Sequence, residues 1–214
     1  MKRSVVLVLS LLLNVALLAA GGWYLSERGA RPIAEDLGIV EERRPAYEVY
    51  AGERFTGLEG EATVLIGDSQ VERGPWSEVL DAPVALRGQG GMLIAEVTAT
   101  APDTIPEGAE RVIIWAGSND ALHERTPAEA GADMTELLAA VEAAAPGAEL
   151  VVLSLPPLEW VDVTDTNTAL ETAAADAGAT WVDVTPALNG LLADDGVHLT
   201  GPGYEVVADA LRTP

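Results

Sequence analysis

Three separated stretches of the chain carry side chains that could perform covalent chemistry together. Val64-Leu65-Ile66 is a short apolar run that stops at Gly67-Asp68-Ser69, and Asp195-Gly196-Val197-His198 lies near the C-terminus. A serine hydroxyl attacks a carbonyl only when a base takes its proton and a third group orients that base. His198 is the candidate base. Asp195 stands three residues before it with a glycine between them, so its carboxylate can reach one ring nitrogen while the other points elsewhere. Asn119, in Trp115-Ala116-Gly117-Ser118-Asn119-Asp120, carries an amide that can donate to an oxyanion. The small residues of Arg87-Gly88-Gln89-Gly90-Gly91 let backbone N–H groups turn toward one crevice. Singly, each stretch is ordinary turn or helix-cap chemistry.

What must position them is a set of short strands. Apolar runs at Thr63–Ile66, Pro83–Leu86, Arg111–Trp115, Leu150–Leu155 and Thr180–Val184 read as buried strands, rich in Val, Ile and Leu. Helical patterns lie between them. Over Thr126–Ala145, Thr126 caps, Pro127 takes the first helical position and Glu129 completes a capping box. Met134, Leu137, Leu138 and Val141 form its apolar stripe, and Pro146-Gly147 ends it. A second helix is expected from about Thr166 to Ala177, with Leu170, Ala173, Ala174 and Ala177 on one side and Gly178 as its stop. The last begins near Gly201-Pro202 and carries Val206, Val207, Ala210 and Leu211. Five strands alternating with helices predict one doubly wound α/β domain with a parallel sheet. Such a sheet presents its chemistry at strand C-termini, where Ser69 and Asn119 fall.

Composition narrows the possibilities. Acidic residues outnumber basic ones 34 to 12, for a formal charge of -22. That surface repels phosphate backbones and argues against nucleic acid as a partner. Cysteine is absent, which removes disulfides, thiolate nucleophiles and thiolate zinc sites. Only His123 and His198 are histidines, so a His-rich metal site is excluded, and no aspartate run has the spacing of a calcium loop. No metal or cofactor is expected. His123 reads as a rim or surface residue, with a contact to the acyl or leaving group as the lesser reading.

The N-terminus begins with Lys2-Arg3 and then Ser4–Tyr24, 21 residues without a charge. As a helix this segment covers about 30 Å, the thickness of a bilayer's hydrocarbon. Residues 1–24 are read as a retained signal anchor, with Trp23 and Tyr24 at the interface. The alternative is a cleaved signal peptide, for which Leu18-Ala19-Ala20 is a passable site. Both place the remainder outside the cytoplasm, tethered to the membrane or secreted. Residues 25–46 are mixed in character, contain Pro32 and Pro45, and read as a stalk. The catalytic domain is expected over 47–214, with a short outer helix among the aromatics of Tyr47–Leu58.

Taken together, Gly67-Asp68-Ser69, Gly91, Gly117-Ser118-Asn119-Asp120 and Asp195-Gly196-Val197-His198 resemble the SGNH hydrolases, also called GDSL-type esterases. The likeness spans about Tyr47 to the C-terminus. It is greatest to the branch related to platelet-activating-factor acetylhydrolase catalytic subunits, through Trp76, Arg-Gly-x-Gly-Gly and the closing Asp-Gly-Val-His-Leu-Thr-Gly-Pro-Gly-Tyr. The resemblance implies a three-layer α/β/α sandwich with a five-stranded parallel sheet. It also implies a triad of Ser69 as nucleophile, His198 as general base and acid, and Asp195 as its partner. The oxyanion hole it implies comprises the backbone N–H groups of Ser69 and Gly91 and the side chain of Asn119. Two positions depart from the family pattern: Leu86 replaces the usual Asn before Arg-Gly, and Met92 replaces a common Asp. These put the loop's conformation and the acyl pocket in question.

The expected activity is cofactor-independent hydrolysis of a small-molecule, lipid or glycan ester, with a short-chain or acetyl group first. Two alternatives remain. One is an envelope glycan O-acyltransferase on the same fold, the other a catalytically silent envelope binding protein. A flavodoxin-like cofactor binder is disfavoured because no phosphate-binding Ser/Thr loop follows the first strand. The acyl crevice is expected to be walled by residues such as Met92, Leu93, Leu158 and Trp160.

Overall fold

The computed structural model describes residues 61–212 together with Asn14, Arg54 and Phe55. Five strands, β1 (Thr63–Gly67), β2 (Ala85–Gly88), β3 (Arg111–Trp115), β4 (Glu149–Leu153) and β5 (Thr180–Val182), form one sheet in the order β2-β1-β3-β4-β5. Every pairing is parallel, with Val64 opposite Ala85 on one side and Val112 on the other. The order reverses at β1. From there the chain runs outward to β2 and then returns to add β3 on the opposite side, which opens a crevice between the C-terminal ends of β1 and β3.

Period-two alternation sends the strand residues to two cores. Val64, Ile66, Val112, Ile114, Leu150 and Val152 face one layer, built by α3 (Ile94–Thr104), α5 (Pro127–Ala144) and α6 (Thr164–Asp176). Leu65, Ile113, Trp115, Val151 and Leu153 face the other. That second layer contains α1 (Ser69–Arg73), α2 (Trp76–Val79), a 3₁₀ turn at Thr185–Leu188 and α7 (Gly201–Arg212). The expected three-layer α/β/α sandwich with its five-stranded parallel sheet is therefore the observed one.

Element bounds differ in instructive ways. The second strand lies at Ala85–Gly88 rather than Pro83–Leu86, because Pro83 has no N–H for the ladder while Arg87 and Gly88 pair with Ile66 and Gly67. Arg87 thereby belongs to the strand and not to the loop. Its side chain is buried, donating from Nε to the Thr104 carbonyl at 2.6 Å and lying 5.2 Å from the Phe55 ring centre. The fifth strand stops at Val182 instead of Val184, since the Val184 N–H is taken by the Ser154 hydroxyl at 2.8 Å. For the same reason β4 ends at Leu153 rather than Leu155: the Leu155 N–H goes to Asn167 Oδ1 at 2.8 Å.

The helix α5 follows its expected cap and stripe: Thr126 Oγ1 accepts from the Glu129 N–H, the Glu129 carboxylate accepts from the Thr126 N–H, and Met134, Leu137, Leu138 and Val141 are buried. The next helix starts two residues earlier than expected, at Thr164, because Asp162 Oδ1 accepts the Thr164 N–H at 2.9 Å. Ala177 is solvent-exposed at its end and not on the buried side.

The helix α3 was not singled out by its sequence. Val97-Thr98-Ala99-Thr100-Ala101-Pro102 mixes β-branched residues and a proline that weaken the helical signal. Tertiary contacts override it: Ile94, Val97 and Ala101 are buried, and Glu96 reaches back to the Leu93 N–H at 2.7 Å. Among the described residues no helix is long and apolar enough to cross a membrane. The expected anchor at 1–24, the stalk at 25–46 and the outer helix in Tyr47–Leu58 lie outside the described residues, apart from Asn14, Arg54 and Phe55.

Candidate active site

The end of β1 explains why Ser69 stands where it does. Gly67 lies flush against β3: a Cβ there would sit 1.9 Å from the Trp115 carbonyl oxygen, so only glycine lets the two strands close. The Asp68 N–H donates to that same carbonyl at 3.2 Å, and its carboxylate caps α1 by accepting the Gln70 N–H at 2.9 Å. Asp68 is fully buried, and burial pushes its carboxyl up to about 7 against the opposing pull of the Gln70 N–H. Its neighbour Ser69 begins the helix at the crevice, with only 7% of its surface exposed.

The C-terminal loop brings an imidazole to this hydroxyl. His198 Nε2 lies 2.9 Å from Ser69 Oγ, and His198 Nδ1 lies 2.7 Å from Asp195 Oδ2. The other carboxylate oxygen, Oδ1, accepts the N–H groups of Val197 at 3.1 Å and His198 at 2.9 Å. One carboxylate therefore shapes the loop and orients the ring. The N–H of His198, then its ring, hold the Asp195 carboxyl well below the usual carboxylate range. Arg73 at the end of α1 places Nη1 3.2 Å from His198 Nδ1 and 4.0 Å from Asp195 Oδ2. A guanidinium has no acceptor, and the anionic oxygen is the nearer partner for Nδ1, so the Nδ1 proton goes to Asp195 and Nε2 is left as the acceptor facing Ser69.

Asn119 stands in α4 (Ser118–Leu122), which opens at Gly117 directly after β3. Gly117 has φ of +121°, and a side chain there would press on Leu155, Ile94 and Leu170. One amide hydrogen of Asn119 goes to the Met92 carbonyl at 2.8 Å; the second remains available. Gly91 adopts φ of +85°, in the left-handed region. Neither the Ser69 N–H nor the Gly91 N–H finds an acceptor among the described residues, which is the condition an oxyanion hole requires.

Several supporting residues escaped sequence reasoning. Gln70 is fully buried and donates from Nε2 to the Val197 carbonyl at 2.8 Å, tying α1 to the histidine loop across 127 residues. Glu72 accepts the Gly90 N–H at 3.0 Å and pairs with Arg54 at 3.1 Å, pinning the glycine loop. Asp120, also buried, accepts the Ile94 N–H at 3.0 Å and faces Arg125 at 3.1 Å, fixing the start of α3 behind Met92. Burial pushes its carboxyl up to about 6. Trp76 lies beneath, donating to the Val71 carbonyl at 3.0 Å and meeting Trp115 and Tyr204 edge to face at 5.9 and 5.4 Å. None of these partnerships has a periodicity or spacing that could have announced it. His123 is exposed at the end of α4, on the surface as expected. Among the described residues no group of three or more His, Asp or Glu side chains could hold a metal ion.

The profile of the GDSL-like Lipase/Acylhydrolase family matches residues 58–206. The chain belongs to that family. It is accordingly an ester hydrolase of the serine type. Solved structures share its fold. A protein of Streptococcus pneumonia with a provisional platelet-activating-factor description is 18% identical, over 84% of this chain and 97% of that one, at a TM-score of 0.67. A carbohydrate esterase of family 3 from Talaromyces cellulolyticus is 22% identical, over 70% and 93%, at 0.57. A carbohydrate acetylesterase from Sinorhizobium meliloti is 17% identical, over 70% and 95%, at 0.56. At these identities the likeness is one of fold. No curated protein matches this acylhydrolase in sequence.

Proposed function

We propose that this GDSL-like hydrolase cleaves short-chain acyl esters, acetyl esters first, through an acyl-enzyme on Ser69. His198 takes the Ser69 proton as the hydroxyl attacks the ester carbonyl, and Asp195 stabilises the imidazolium that forms. The oxyanion is received by the N–H groups of Ser69 and Gly91 and the free amide hydrogen of Asn119. His198 then protonates the departing alcohol, and water activated by the same ring releases the acid and frees Ser69. The relay of 2.9 Å from Ser69 to His198 and 2.7 Å from His198 to Asp195 carries this reading. The carbohydrate acetylesterase among its structural neighbours favours a short acyl group.

Export and a membrane tether belong to the same proposal and rest on the charge-free Ser4–Tyr24 segment. The test is a p-nitrophenyl ester series from acetate to octanoate with wild type and Ser69→Ala. The expected result is a preference for acetate, loss of nearly all turnover in Ser69→Ala, and fluorophosphonate labelling of wild type alone. Equal rates for the two proteins would refute Ser69 as nucleophile. Acyl transfer to an added glycan in place of free acid would convert the hydrolase reading to a transferase.

A further inference from the structure

One aromatic side chain at the catalytic loop has no role in the relay. Trp160, in the loop between β4 and α6, is 67% exposed and is the one exposed large hydrophobic residue among those described. It does not hang free of the site. The N–H of its neighbour Glu159 donates to the carbonyl of Gly196 at 2.9 Å, between Asp195 and His198. Gly196 itself is buried there with φ of +65°, and a Cβ on it would stand 2.5 Å from Glu159 Oε2 and 3.0 Å from Trp160 Nε1. The edge of the indole is thus held against the turn that carries the triad, while most of its ring faces water.

We infer that Trp160 is the platform for the alcohol half of the substrate, and that this half is an uncharged sugar ring. The inference rests on the esterase reading above and specifies its leaving group. A single open aromatic plane suits a flat ring with C–H groups on one face, whereas a quaternary ammonium is held by a cage of several aromatic faces. The indole's sequence neighbour Glu159 is an exposed carboxylate that stands at the same turn, and a carboxylate accepts hydrogen bonds. A polyol brings hydroxyl donors to that carboxylate. Phosphate- or carboxylate-bearing alcohols are disfavoured by the formal charge of -22. A lipid surface would need a contiguous apolar patch, and the described residues expose only this one large apolar side chain.

The experiment compares wild type and Trp160→Ala on three acetyl esters: a mono-O-acetylated methyl pyranoside, ethyl acetate and acetylcholine. Trp160→Ala is expected to lose roughly tenfold in kcat/KM on the pyranoside, carried by KM, with ethyl acetate changed less than about twofold and Trp160→Phe restoring most of the loss. Equal losses on pyranoside and ethyl acetate would make Trp160 a support of the loop and overturn the inference. So would a loss confined to acetylcholine, which would mark a cation site. The failure of the parent reading looks different. Wild type would then hydrolyse none of the three, yet Ser69→Ala would still bind the pyranoside in calorimetry and Ser69→Ala/Trp160→Ala would not. Absence of binding in both proteins, alongside intact ethyl acetate hydrolysis, overturns the platform alone.

Discussion

Asp195→Asn tests the proton relay without disturbing its scaffold. The native carboxylate divides its work, with Oδ1 accepting two backbone N–H groups at 3.1 and 2.9 Å and Oδ2 facing His198 Nδ1 at 2.7 Å. In asparagine the single oxygen must stay with the two backbone donors, because an NH₂ placed there would oppose N–H to N–H. The amide nitrogen is then turned toward Nδ1 and donates to it, and Arg73 Nη1, already 3.2 Å away, supplies a second donor on the same side. The proton moves to Nε2, which points it at Ser69 Oγ, so the ring can no longer act as a base. Holding the wrong tautomer in an otherwise intact triad costs about 10⁴-fold in kcat, or about 5 kcal/mol of transition-state stabilisation at 1.36 kcal/mol per tenfold. Stability should fall modestly, since the hydrogen bonds that hold the carboxyl low lose their charge but the Asp195 side chain is 48% exposed and screened by solvent. A loss of up to about 1 kcal/mol corresponds to about 2 to 4 °C in Tm. The assay is initial-rate hydrolysis of p-nitrophenyl acetate beside a thermal melt. A folded variant with activity within tenfold of wild type would refute the assignment of Asp195 as the orienting group.

Gln70→Met keeps the volume but removes the donor to Val197. Leaving that carbonyl unpaired should lower unfolding stability by about 1 to 3 kcal/mol in urea titration, and turnover should fall roughly tenfold; in a His198→Ala background the turnover loss should vanish, and its persistence would show that Gln70 does not act through the histidine. Asn119→Ala should lower kcat by about 100 to 1,000-fold with little change in KM, and an unaffected kcat would remove Asn119 from the oxyanion hole. Stability should depend on pH through Asp68 and Asp120, whose folded carboxyls are raised to about 7 and about 6 from 3.8. The folded state then binds more protons than the unfolded one between about pH 4 and 7, so their contribution is complete below 3.8 and is lost as pH rises through 6 to 7. The urea midpoint should therefore fall from pH 5 to pH 8, and the slope should flatten in Asp68→Asn; a midpoint that rises across this window would contradict the burial argument.

Much of the architecture was legible because it rests on local signals. Thr126, Pro127 and Glu129 announce a helix by capping geometry that needs nothing outside that turn, and short runs of Val, Ile and Leu announce buried strands. The helix α3 was illegible for the converse reason. Its residues prefer other conformations, and Glu96, Asp120 and the packing of Ile94 and Val97 supply the difference only once β3 is in place. The second strand's true start at Ala85 likewise depends on which N–H groups its neighbour can pair.

The same division runs through the site. Residue type and local spacing made Ser69, Asp195, His198 and Asn119 candidates, two of them in one short loop, and the resemblance to the SGNH hydrolases joined them into an expected triad and oxyanion hole. Only the folded chain decides that Gln70 bridges to Val197, that Glu72 pins Gly90, that Arg73 stands beside the Asp195–His198 pair, and that Trp160 leans on Gly196. These are contacts between residues 18 to 127 positions apart. Their partners are selected by the strand order β2-β1-β3-β4-β5, a long-range arrangement that no local pattern encodes.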